Sequence, residues 1–224
     1  MAGLIERRRQ AGDRTFVARC EARAASNADW LLQTIAGFQQ SDKAFADGDR
    51  IRFGWSILTL RRKGADWLVC EPDFTRDPVT EVREDVSLTL TIASAQGYVA
   101  GRVGVKPADC LFLDWVLVKK GSLAVPRIYM QREDPVAEGD SGWYVAPLPP
   151  PGAGPPKEDP KARLDPKNYE RTPSHRLLTV RPGLLQAQAL PTGYFVVLDG
   201  EEIVGVVDPK GKDVWGRKSG HNDK

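Results

Sequence analysis

Histidine is nearly absent from the 224 residues: His175 and His221 stand alone against 21 glycines and 17 prolines. Neither has a partner at metal-ligand spacing; His221 lies in the tail and His175, beside Ser174, follows a proline-rich stretch, so metal and nucleophilic catalysis are not expected, nor is a cofactor. Cysteine is scarce as well. Cys20, Cys70 and Cys110 are odd in number and form none of the paired spacings of zinc sites or redox dithiols, which predicts reduced thiols. Long apolar runs are missing. CLFL, WVLV and YFVVL fall far short of the ~20 residues that cross a bilayer, and the opening MAGLIERRRQAGDR has no apolar stretch of ~7–15 residues behind its charges. A cytoplasmic protein with no membrane partner is expected. Nor does one sign of charge dominate: 32 Lys and Arg against 30 Asp and Glu leave +2, which excludes a nucleic-acid coat. The basic runs Arg61-Arg62-Lys63 and Lys119-Lys120 lack the interleaved aromatics of a nucleic-acid platform, so they read as solvated faces. Gly101 to Lys106 has neither the spacing nor the Ser/Thr of a phosphate loop and reads as a turn or helix end.

What is present suits an α+β fold of antiparallel sheets with few short helices, in two units. Residues 1–24 carry six arginines and no sustained apolar period, which predicts a flexible start. Ser26 or Asn27 can cap a helix over 27–39 whose apolar face would hold Trp30, Leu31, Ile35 and Phe38. Ile51, Phe53, Trp55 and Ile57 alternate with smaller or polar residues, and Trp67 to Glu71 follows a Lys63-Gly64-Ala65-Asp66 turn, which predicts a β-hairpin. Six acidic residues, two arginines and two prolines in 71–85 read as an exposed loop, and Val86, Leu88, Leu90 and Ile92 alternate as a strand would. These form an N-terminal α+β unit over 25–100.

The second unit, 101–208, offers strands at 110–119, 126–133 and 141–145. A short helix should begin at Pro182 and run over 183–190, followed by a hairpin over 194–207 turning at Asp199-Gly200. Residues 147–166 hold eight of the 17 prolines and read as a linker or exposed insertion, and 209–224 as a polar tail.

Between the strands at 126–133 and 141–145, Glu133, Asp134, Glu138 and Asp140 place four negative charges with no basic residue over 133–142. Such a loop can steer a cationic partner and add charge-assisted hydrogen bonds, and it also suits a merely soluble turn. Asp140-Ser141-Gly142-Trp143 reads as a turn that returns Trp143 either to the core or to an interface.

The stretch PRIYMQREDPVAEGDSGWYV, residues 126–145, resembles the thirty-third family of immunity proteins of bacterial polymorphic toxin systems. The matching residues are Met130, Arg132, Glu133, Pro135, Asp140, Ser141, Gly142 and Trp143, an Arg-Glu-x-Pro then Asp-Ser-Gly-Trp string. Asp165 to Tyr169 and the segment from Pro182-Gly183 to Pro191-x-Gly193 are similar to later stretches of the family, so the likeness spans roughly 108–206. The family usually continues with a glycine and an acidic run where this chain has its proline-rich segment.

The resemblance implies a non-enzymatic cytoplasmic protein that binds a cognate toxin and blocks it by steric and electrostatic occlusion, protecting the cell that secretes the toxin. Arg132, Glu133, Asp134, Glu138, Asp140, Ser141 and Trp143 are then the candidate partner-binding residues. Two other classes remain: a scaffold or regulatory interaction protein, and a hydrolase working through carboxylates.

Overall fold

The computed structural model describes residues 3–39, 45–149 and 165–216. Most of the proline-rich segment, residues 217–224 of the tail and His221 lie outside them. The chain divides into Met1–Ala95 and Gln96–Lys224. Both units are α+β.

In the first unit the sheet order is β1 (Ile5–Ala11), β2 (Arg14–Cys20), β5 (Asp66–Pro72), β4 (Ser56–Lys63), β3 (Arg50–Phe53), with the two-residue β6 (Val82–Arg83) paired to β5. The expected flexible start is instead the β1–β2 hairpin, turning at Gly12 with φ 61°. Its strand signal is hidden for a physical reason. Central strand β2 buries Phe16, Val17 and Ala18 in succession, erasing the alternation, while edge strand β1 carries Arg7, Arg8 and Arg9. Two of those arginines are spent on carboxylates of this unit: Arg7 clasps Asp29 through two hydrogen bonds of 2.8 and 2.6 Å, and Arg8 pairs with Glu6 and Asp66.

Antiparallel pairing dominates, but β2 and β5 run parallel, Val17 opposite Leu68. The expected hairpin is a three-strand meander, because Gly54, at φ 57°, lets the chain turn between Phe53 and Ser56. One face of this sheet packs Phe16, Ala18, Cys20, Leu58, Leu60 and Val69 against helix α1 (Ala25–Gln39). The helix presents Ala28, Leu31, Leu32 and Ile35 to that core, not Trp30 and Phe38. Trp30 is 58% exposed, its ring lying 4.8 Å from Phe53.

The run Val86 to Ile92 forms helix α2 (Ser87–Arg102), not a strand. Asp85 caps it, accepting from the Ser87 N–H at 2.9 Å and from the Ser87 hydroxyl at 2.5 Å. Val86, Thr89, Leu90, Ala93, Gln96 and Ala100, buried or partly buried, fall three or four residues apart, and the period-two look of 86–92 arises because polar Thr89 occupies an inward position while Leu88 is only half-buried. Gly104, at φ 76°, ends this region as its N–H meets the Gly101 carbonyl at 3.1 Å, which accounts for the glycine-rich run there.

The second unit's sheet is ordered β10 (Tyr169–Pro173), β7 (Trp115–Lys119), β9 (Asp140–Pro147), β8 (Arg127–Arg132), β11 (Phe195–Asp199), β12 (Glu202–Val207), with β7 and β9 parallel. Met130, Val145, Val196 and Leu198 are fully buried. Helix α3 (Leu177–Val180) is one turn, and the expected helix at 183–190 is a 3₁₀ segment over Pro182–Ala187. The described part of the tail is ordered: the Val214 N–H reaches the Val206 carbonyl at 2.8 Å, and the Arg102 guanidinium sits 3.8 Å over the Trp215 ring.

The burial pattern along α2 makes a sharp prediction. Leu90→Ala should destabilise the first unit by about 2–5 kcal/mol, whereas Thr91→Ala, one residue on at an exposed position, should cost under about 0.5 kcal/mol. Urea denaturation followed by circular dichroism measures both.

Candidate partner-binding surface

The seven candidate residues fall into two groups. Arg132 ends β8 and is buried beneath the irregular chain around residue 190. Its guanidinium donates to four backbone carbonyls: Nε to Ser141 at 3.0 Å, one terminal nitrogen to Leu190 at 2.7 Å and Gln188 at 3.3 Å, the other to Asp109 at 2.6 Å. Burial pulls its pKa below the ordinary arginine value, yet the group keeps its charge. Trp143, opposite Arg132 in the β8–β9 register, is buried too, and its indole N–H donates to the same Gln188 carbonyl at 3.0 Å. Trp143 is therefore a core residue. Ser141 is also internal, donating through Oγ to the Trp115 carbonyl at 2.8 Å and accepting from the Trp143 N–H at 3.1 Å.

Asp140 is spent on shaping the loop. Its two oxygens accept from the Gly142 N–H at 2.8 Å and the Val136 N–H at 2.9 Å, while its own N–H meets the Ala137 carbonyl at 3.1 Å. Gly142 has φ 73°, and a Cβ there would stand 2.1 Å from the Glu133 carbonyl oxygen. That contact exists because the Glu133 N–H donates to the Gly142 carbonyl at 2.9 Å, pressing the two strands together at the loop base. The string Arg-Glu-x-Pro to Asp-Ser-Gly-Trp is thus mostly a closure device: charge, turn, glycine and indole each satisfy one internal requirement.

Glu133 is half-buried at the base of the loop, whereas Asp134 and Glu138 are exposed at its tip. They flank Val136, which is 70% exposed. Arg132, Ser141 and Trp143 are not surface residues, which corrects their place among the partner contacts. A water-facing patch remains around Asp134, Val136 and Glu138.

A second buried guanidinium escaped the sequence reading. Arg181 donates to the carbonyls of Val125 at 2.8 Å, Pro126 at 2.6 Å and Gly200 at 2.7 Å, and lies 3.5 Å from Glu201. Beside it, the Gly183 N–H donates to the Glu201 carboxylate, and a Cβ at Gly183 would meet the Glu201 carbonyl oxygen at 2.4 Å. Gly193, at φ 89°, is pressed against Pro209, 2.9 Å from where a Cβ would sit. The signal available was one arginine inside the apolar stretch 177–190. His175 is half-buried and anchors a loop, its backbone N–H donating to the Phe112 carbonyl at 3.0 Å with Nδ1 3.2 Å from the same oxygen. Among the described residues no group of three or more His, Cys, Asp or Glu could hold a metal ion. No helix of the described residues is long and apolar enough to cross a membrane.

A family model described as the Imm33-like domain matches residues 95–216, about half of the chain. No curated protein and no solved structure matches it.

Two substitutions test the closure role. Gly142→Ala should cost about 3 kcal/mol or more, because the added methyl meets backbone at a φ that disfavours side chains. Arg132→Lys, which keeps the charge but cannot span four carbonyls, should cost about 2–4 kcal/mol. Thermal and urea unfolding of the full chain read both. Native stability in Arg132→Lys would return Arg132 to the surface candidates, and native stability in Gly142→Ala would overturn the close approach to Glu133.

Proposed function

Because the chain belongs to the Imm33-like family, we propose that it is an immunity protein that binds a cognate secreted bacterial toxin in the cytoplasm and neutralises it. The family supplies the toxin as partner class and a role that needs no catalysis. The observation that carries the choice of surface is the loop 133–140. Its acidic tip is exposed, and Asp140 holds its backbone from within.

A loop ordered before contact gives up little conformational entropy on binding, which favours affinity at a small interface. Asp134 and Glu138 would steer an approaching basic surface, and Val136 between them would fill an apolar socket once water is excluded. Blocking is then steric: the patch and the chain around it cover the toxin's working surface. The buried members of the motif serve this by fixing where the tip stands.

The test is co-expression with whichever secreted-toxin gene lies beside this one, followed by affinity capture. The wild-type chain should rescue growth and yield a stoichiometric complex. Reversing Asp134 and Glu138 to Lys together should raise Kd at least about tenfold and steepen toxin killing, with an unchanged melting profile. Val136→Asp should act likewise. Rescue by wild type with full affinity in these variants would move the interface elsewhere on the molecule; no complex and no rescue would overturn the immunity reading.

A further inference from the structure

Outside this surface, the least comfortable group in the first unit is Glu71. It sits on β5 with its side chain fully buried. One carboxylate oxygen, Oε2, accepts the Thr89 backbone N–H at 2.7 Å, in the first turn of α2. The other, Oε1, accepts no hydrogen bond among the described residues, and the equally buried Thr89 hydroxyl lies close to the carboxylate. Two charged groups face it. Arg83, from β6, lies 3.7 Å from Oε1, but its guanidinium is turned to Asp85 as well, and Asp85, just ahead of α2, adds a like charge.

The geometry has a mechanical consequence. β6 is only two residues long and is held to β5 by the Glu71–Arg83 and Pro72–Val82 pairs, while Val82 packs on the small apolar cluster of Val17, Leu68 and Cys70. Between β5 and α2 the chain bonds to itself, as Asp73 N–H to Glu81 at 2.9 Å and Glu81 N–H to Asp77 at 2.8 Å, and is tied to β2 and β4 only near its end, where Glu84 pairs with Arg19 and Lys63 and the Val86 N–H reaches the Arg19 carbonyl at 2.9 Å. One buried carboxyl group is therefore a point at which β5, β6 and the start of α2 meet.

We infer that Glu71 is a proton-operated latch: neutral, it closes β6 and the first turn of α2 onto β5, and ionised, it loosens them. A neutral carboxyl loses no charge hydration when buried. An ionised one keeps a single strong donor and a shared, half-exposed arginine, and gains hydration by opening. Burial accordingly raises its pKa from the ordinary glutamate value up to about 7. The closed form holds the proton more tightly than an open form with Glu71 in water. Closure is thus strongest below the ordinary glutamate pKa, weakens as pH rises, and reaches its weakest level above about 7.

Native-state hydrogen exchange on the full chain at pH 5 and pH 8 tests this. After correction for intrinsic exchange, protection of amides 82–90 should fall about ten- to a hundredfold in the wild type. It should stay level in Glu71→Gln, with the β11 amides as the internal reference. An equal fall in both proteins, or none in the wild type, overturns the latch. Carbon-13 titration of the Glu71 carboxyl in the wild type does not depend on the variant's folding. A midpoint near neutrality supports the latch, and one in the ordinary glutamate range overturns it.

Discussion

The guanidinium of Arg132 is the hinge on which the second unit depends. The backbone that covers β8 and β9 is irregular around 109 and 188–190, so its carbonyls enter the interior without a helix or sheet to receive them. A buried carbonyl without a donor costs about as much as a lost hydrogen bond, and an arginine supplies five donors in one rigid plane. Arg132 thereby does for loops what a ladder does for strands. Arg181 repeats the solution for the carbonyls of 125, 126 and 200. Around both, glycines are required wherever another backbone passes too close for a Cβ, as at Gly142 and Gly183. The buried charges, the glycines and Trp143 form one arrangement, and the exposed acidic tip is what that arrangement holds up to solvent.

The first unit meets a related problem with the opposite sign. There the orphan groups are donors at the start of α2, and carboxylates supply the acceptors, Asp85 from just ahead of the helix and Glu71 from a neighbouring strand. A cation spread over four carbonyls keeps its charge at any physiological pH, while a carboxyl with one strong donor does not. The two units therefore differ in what acidity does to them, for reasons that lie in one side chain each.

The sequence was most legible where elements are local. The hairpin of β11 and β12 and the strands β8 and β9 are short apolar runs bounded by turn residues, and they stand close to where those cues put them. Legibility failed where burial overrides periodicity. β2 is covered on both faces and loses its alternation, and α2 hides its stripe behind the inward Thr89 and Gln96. The candidate site was readable as a string of residues but not as a direction. What turns Arg132, Ser141 and Trp143 inward is a set of carbonyls at Asp109, Trp115, Gln188 and Leu190, separated from them in the chain and carrying no side-chain signature. Only Asp134 and Glu138, whose side chains meet nothing that distant segments impose, kept the exposure their composition suggested.

The span between Arg132 and its partners also sets an order of events during synthesis. Domains form from the N-terminus as the chain emerges, and β8 and β9 can pair once residue 147 is free. The guanidinium must then wait in water until residues 188–190 leave the ribosome. Until that moment the Trp143 indole N–H has no Gln188 carbonyl to meet. The step that seats Arg132 is the arrival of a few plain carbonyls, just ahead of the strands β11 and β12 that finish the sheet.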